Sequence, residues 1–260
     1  DTWPGVLAAL REVHRHLVNR EGLLVDVTLD GENYQRISPQ IEEFLAGLPR
    51  FAVTPQPWAP QWNQANEGLQ VPAQVNYVGQ SSHLYDVGYR YHGSIHVITN
   101  FIRTSWLWDQ VRAQGGAYGA SCSFGRHSGV MTFTSYRDPN LLKTLDAYAQ
   151  TARFLATVDL SEDEITRNII GAISDVDAYM LPDAKGSAAL TRWLVGDDER
   201  RRQQTRDEIL ATHAGHFREF GEVLAAAQGQ RRVVVMGSTA ALEEANRSNG
   251  GAWLSLQRLL

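Results

Sequence analysis

Cysteine occurs once in these 260 residues, at Cys122, so no internal disulfide can staple the chain and it must hold itself together by burying apolar surface. The lone thiol, without a targeting segment, points to a reducing, intracellular setting, and with no acid-base partner near it in sequence it makes a poor nucleophile. Long apolar runs are missing: nothing approaches the ~20 residues that a membrane-spanning helix needs, which argues against a membrane partner. Lysine is nearly absent, with only Lys143 and Lys185 among 24 basic residues, and 29 acidic residues bring the formal charge to -5. That balance, with a pI near 5.9, argues against nucleic acid as a partner. The one basic run, from Arg200 to Arg206, is flanked by Asp197-Asp198 and Asp207-Glu208 and reads as a solvated helix face. Catalytic signatures are also lacking. There is no H-E-x-x-H or H-x-x-E-H helix, no G-x-S-x-G elbow and no G-x-x-x-x-G-K loop. The nearest histidine spacings are His92 with His96, which has no carboxylate beside it, and His213 with His216, which falls between two charged helices and reads as solvent-facing. No metal site is expected in this chain.

What the sequence does contain is a sharp joint between a helix and a strand. Ile95, Ile98, Thr99, Ile102, Trp106 and Val111 recur at helical spacing, whereas residues 118–124 have no helical period, so a helix covers about 93–112 and ends near Arg112. Gly115 and Gly116 follow, and paired glycines there are first of all a C-terminal cap. A second reading is that Arg112, a fork of always-charged donors, and Tyr118, a phenol, converge across that turn on an acceptor such as a peptide carbonyl. The glycines would then let a substrate backbone come close.

Around this joint the pattern divides the chain. Residues 1–48 read as helix, strand (Leu23, Val25, Val27 and Leu29 alternating) and helix (Ile41, Phe44, Leu45, Leu48), an α-β-α remnant too small for a core of its own. Residues 49–70, with Pro49, Pro55, Pro57 and Pro60, read as a linker whose Trp58 and Trp62 pack back on a domain surface. Residues 71–260 read as a complete α+β unit. Its expected strands lie around Val75 and Tyr77, at 85–91, 118–124, 130–136 and 233–236, the last buried and central. The expected helices follow an Asp138 cap with Pro139 in the first turn, a Ser161–Glu164 capping box, and Leu181-Pro182-Asp183; two more run to about Ala227, and Thr239 opens the last. One sheet with helices stacked on one side is the economical arrangement.

Several blocks carry a resemblance. GGAYGASCSFGRHSGVMTFTSYRDPN at 115–140, then LLKTLDAYAQT and DVDAYMLPDAKG, with NREGLLVDVTLDGENY, VPAQVNYVG and TSWLWDQVR upstream, resemble the C-terminal part of the presequence proteases. Those belong to the pitrilysin-like (insulysin-like) zinc metallopeptidases. The resemblance implies an antiparallel-rich sheet backed by helices, preceded by the α-β-α end of a similar domain. It implies zinc in the full-length enzyme but none here, the N-terminal catalytic half of the same polypeptide as partner, and unstructured peptides as substrates. It also implies a closed chamber in which Arg112 and Tyr118 reach a peptide held on the other half, in a bacterial cytoplasm or an organelle matrix or stroma. On this reading the chain alone is inactive. The alternative is a non-catalytic structural or substrate-presenting homologue. Retention of both Arg112 and Tyr118 favours the catalytic lineage.

Overall fold

The computed structural model describes residues 2–59 and 65–259, which fall into two compact units. The first comprises the described parts of 1–61 together with 179–198. It holds helices α1 (Trp3–Leu17), α2 (Gly31–Ala46) and α6 (Pro182–Leu194). Asp30 caps α2 by accepting the Asn33 N–H at 2.9 Å, so this helix starts well before the apolar positions that announced it. The strand expected at 23–29 does not form: the segment is irregular, because no described strand offers its backbone a ladder partner. In the linker stretch Trp58 is 85 % exposed instead of packed back. Trp62 lies outside the described residues.

The second unit is built on a six-stranded sheet in the order β3-β4-β2-β5-β1-β6, with β1 Asn66–Gln70, β2 Asn76–His83, β3 Gly119–Gly125, β4 Val130–Asp138, β5 Arg232–Gly237 and β6 Leu254–Arg258. Pairings from β3 through β5 are antiparallel; β1 lies parallel to both β5 and β6. The central strand at 233–236 is where the apolar run placed it. Strands β1 and β6 carried no signal, since a sequence such as NEGLQ has one large apolar residue in five and becomes a strand through its neighbours. β1 also begins inside the stretch read as linker. Residues 85–91 are not a strand: Tyr85–Val87 is a 3-10 turn, and Tyr85, Tyr89 and Tyr91 gather around Phe124 as packing residues.

The sheet is one-sided. Val233 and Val235 are buried whereas Val234 between them is 42 % exposed. The buried face meets α3 (Ser94–Phe101), α4 (Leu142–Thr157), α5 (Glu162–Val176), α8 (Ala214–Ala226) and α9 (Thr239–Ser248) in one core of Val78, Ile98, Phe133, Leu155, Phe217 and Leu242, among others. α7 (Glu199–Leu210) supplies Ile209 to it. The α+β class and the helix-backed sheet therefore stand. The capping box of α5 stands too: Ser161 Oγ accepts the Glu164 N–H and Glu164 accepts the Ser161 N–H.

Candidate functional site

The helix expected over 93–112 changes winding. Beyond α3 it continues as a π-helix over Ile102–Ala113, and its buried residues Ile102, Leu107 and Val111 follow the wider turn. It ends where the glycines stand. Gly116 has φ 81° and donates its N–H to the Arg112 carbonyl at 2.9 Å, and the Ala117 N–H reaches Val111 O at 3.1 Å, a left-handed cap on the widened helix. Gly115 is needed for a different reason: a Cβ there would sit 2.4 Å from the Val111 carbonyl. The capping reading of the pair is thus realised in the backbone.

Tyr118 follows directly and leads into β3. Its ring is 69 % exposed and meets the Tyr136 ring edge-on at 5.8 Å; Tyr136 in turn meets Tyr77 at 5.3 Å. The reason three tyrosines meet is a β-bulge. Asn76 pairs with Asp138 but Val78 pairs with Ser135, so Tyr136 and Arg137 together face Tyr77. Arg137 takes the bulge's left-handed turn with φ 48°, rare for a residue with a Cβ, and its guanidinium lies 5.5 Å from the Tyr136 ring. The Tyr118 N–H points at the carbonyls of Tyr136 and Arg137. Arg112 is also exposed but stacks on Trp108, one turn back on its own helix, at 4.0 Å. No hydrogen bond or ring contact joins Arg112 to Tyr118 among the described residues.

The joint is anchored from the other side by the strand-to-helix passage after β4. Asn140 Nδ2 donates to the Gly115 carbonyl at 2.6 Å, and Asn76 Nδ2 donates to Asp138 O at 3.2 Å. Asp138 is fully buried; its carboxylate accepts the Asn140 N–H at 2.9 Å and the Thr144 hydroxyl at 2.7 Å. This corrects the expected cap. α4 begins at Leu142, not at Pro139, and Asp138 uses its carboxylate to fold the passage back on Gly115. Tyr77, Trp108 and Asn140 had no distinguishing mark in the sequence. The bulge at Tyr136–Arg137 could have been sought in the abrupt S-Y-R-D-P-N ending of a strand.

The histidines do not make a metal centre. His213 is the N-cap of α8 and exposed as expected, and its ring stacks on the half-buried His216 at 3.9 Å, which stacks on His92 at 4.8 Å. Each Nδ1 accepts a backbone N–H, from Ser94 to His92, from Gly215 to His213 and from His213 to His216, which leaves the proton on Nε2 of each neutral ring. A metal-bound imidazole needs one nitrogen free and the other donating, the opposite arrangement. His96 is exposed and bonded to the Tyr91 hydroxyl at 3.0 Å. Among the described residues no group of three or more His, Cys, Asp or Glu is placed to hold a metal, so the zinc implied by the resemblance does not fit this chain's residues. Cys122 is buried, and burial pushes its thiol up to about 12, which suits a packing residue. No helix among the described residues is long and apolar enough to cross a membrane.

The chain is 41 % identical over 255 residues to presequence protease 1, chloroplastic/mitochondrial, of Arabidopsis thaliana, covering 96 % of the chain and 23 % of that protein. It is 25 % identical to protein HypA of Clostridium perfringens, over 91 % of the chain and 24 % of the relative. It is 21 % identical to the mitochondrial presequence protease of Xenopus laevis, over 96 % and 26 %. The chain thus spans about a quarter of the length of these relatives. In fold it resembles pitrilysin, with a TM-score of 0.55 at 9 % identity over 88 % of the chain and 25 % of that structure. It also resembles a peptidase M16 inactive domain from Pseudomonas fluorescens, at 0.55 and 12 % identity over 81 % and 52 %. The family described as the PreP C-terminal domain matches residues 66–239, the stretch that carries strands β1 to β5, the glycine joint and the bulge, and the chain belongs to that family.

Proposed function

We propose that this chain is the C-terminal, non-zinc-binding half of a presequence-protease-like zinc metalloendopeptidase that degrades targeting peptides and other short unfolded peptides inside a closed chamber. The N-terminal half of the same polypeptide is its partner, and an organelle matrix or stroma, or a bacterial cytoplasm, its setting. The observation that carries the reading is Tyr118, a large aromatic residue left exposed at the start of β3 and held by its own backbone against a bulge. Such a phenol serves as a donor to the oxygen that becomes negative when a peptide carbonyl is attacked. Arg112 suits a different task. Its planar fork, steadied on Trp108, holds carbonyls of the bound peptide. Gly115 and Gly116 give the substrate backbone room at the joint.

The test uses the full-length enzyme and an unstructured basic peptide. Tyr118→Phe is expected to lower kcat by about 100-fold, the scale of one lost oxyanion donor, with fold and zinc content unchanged. Arg112→Ala is expected to raise KM as well, since it removes ground-state binding. Unchanged kcat/KM in both would favour the structural or substrate-presenting homologue and reduce the pair to a helix-to-strand joint.

A further inference from the structure

On the buried face of the sheet one cross-strand row runs Phe133, Gln80, Val233, Asn66 and Leu254, from β4 to β6. Three of these are apolar core residues; Gln80 and Asn66 are not. Asn66 is accounted for, because its Oδ1 accepts the Val233 N–H at 3.0 Å. Gln80 is only 5 % exposed, and among the described residues its side-chain amide has no hydrogen-bond partner. Its polar atoms are not sealed from solvent, so the amide opens into the space beside it and is available there to a ligand.

Gln80 forms part of the floor of a groove of about 440 Å³. One wall is α4, which presents Asp146; the other is the turn after α8, with Gln228 and Arg231. Trp253, from the link into β6, also lines it. Arg231 uses Nε on the Gln228 carbonyl at 2.9 Å, and no carboxylate pairs with it among the described residues, so the rest of its fork remains for a ligand. Among the described residues Asp146 bonds only to Gln150, its neighbour one turn on. The groove therefore offers a guanidinium, a carboxylate and an amide that can both donate and accept, in a space within the usual range for small-molecule sites.

We propose that this groove binds a small zwitterion of the amino-acid class, either a free amino acid or a dipeptide, with its carboxylate on Arg231, its ammonium group on Asp146 and a polar atom between them bonded to Gln80. A planar fork matches a carboxylate by two parallel bonds. The opposite charge on the facing helix selects against simple anions. The site stands on the helix-covered face of the sheet, and the proposal does not depend on the peptidase reading.

Isothermal titration of the 260-residue chain with free leucine, glycyl-leucine and N-acetyl-glycyl-leucine amide tests it. Saturable binding is expected for leucine or for glycyl-leucine, and whichever binds more tightly identifies the ligand's size. The capped dipeptide, which lacks both charges, is expected to bind at least about tenfold more weakly, the scale of a lost charge-assisted hydrogen bond. Arg231→Ala and Asp146→Asn, both at the groove's accessible edge, should each lower affinity by a similar factor. Gln80→Leu should abolish binding while leaving the chain as stable or more so. No binding of either zwitterion at concentrations up to about 10 mM, or binding that all three variants retain, overturns the proposal.

Discussion

Gly115 and Gly116 are adjacent and answer to different constraints. Gly116 needs a left-handed backbone, so Gly116→Ala is expected to cost about 1 kcal/mol through the Cβ penalty of that conformation. At Gly115 an added Cβ would meet the Val111 carbonyl at 2.4 Å, backbone that can move only if the helix end unwinds, and about 1–3 kcal/mol is expected. Thermal denaturation of the two variants should rank Gly115→Ala lower; the reverse order would mean that the cap is held differently. His216 is a second residue whose chemistry is set by its neighbours. Burial, then the adjacent His213 and His92, hold its imidazole below its ordinary range, against the opposing pull of Glu219 and Glu208. Arg200 and Asp207 also border the open cavity where it lies. With the folded pKa lowered, the unfolded chain binds the extra proton first as pH falls. This contribution to stability is full above the ordinary histidine value of about 6.5 and is lost as pH drops from there through the folded value. His216→Asn keeps an acceptor for the His213 N–H and removes the titration. The fall in Tm between about pH 7 and 5 should therefore be shallower in the variant, and parallel curves would assign the acid sensitivity elsewhere.

Between elements, the passage from β4 into α4 holds the joint at Gly115, and Asn140 is its connection. Removing the amide leaves the Gly115 carbonyl short of a partner it now has at 2.6 Å, and Asn140→Ala is expected to cost about 1–2 kcal/mol. Hydrogen exchange gives a sharper reading than total stability. The amides of Ala117 and Tyr118 should exchange faster in the variant while those of β2 and β5 keep their rank; uniform acceleration would mark Asn140 as a general stabiliser instead of a tether for the joint. The same passage shows where the sequence was informative. The capping box at Ser161 and the glycines after the π-helix were legible because each is decided within about six residues of chain. The bulge was not, because Arg137 turns left-handed only where β2 supplies a partner 60 residues away that is one residue short. Asp138 followed by proline looks locally like a helix start, and only the buried Thr144 hydroxyl and the Asn140 N–H redirect it. Tyr85, Tyr89 and Tyr91 misled for a related reason: aromatic residues favour strands on average, yet here they pack around Phe124.

At the scale of the molecule the two units differ in what they bury. α1 has apolar residues at Val6, Leu10, Val13 and Leu17 in helical register, yet neither α1 nor α2 contains a buried residue. Trp3, Leu23, Leu24, Val25, Leu29 and Phe44 are likewise exposed. Since helices of this length draw most of their stability from packing an apolar face, α1 and α2 have little to hold them beyond their own hydrogen bonds and caps. We propose accordingly that residues 1–48 are the end of a preceding homologous domain, joined by a connection that gives way to the C-terminal domain at β1. The second unit has the opposite character, with Val78, Val235, Met131 and Phe217 almost wholly buried across the sheet and its helices. Native-state hydrogen exchange on the isolated chain, at a concentration where it is monomeric, should therefore find the amides of α1 and α2 opening by local fluctuations of low free energy. Those of β2, β4 and β5 should exchange only by near-global unfolding. The order is the prediction, and it depends on no assumed activity. Protection of α1 equal to that of β5 in a demonstrated monomer would mean that the first unit buries its apolar residues in solution, and the proposal of an incomplete domain would have to be given up.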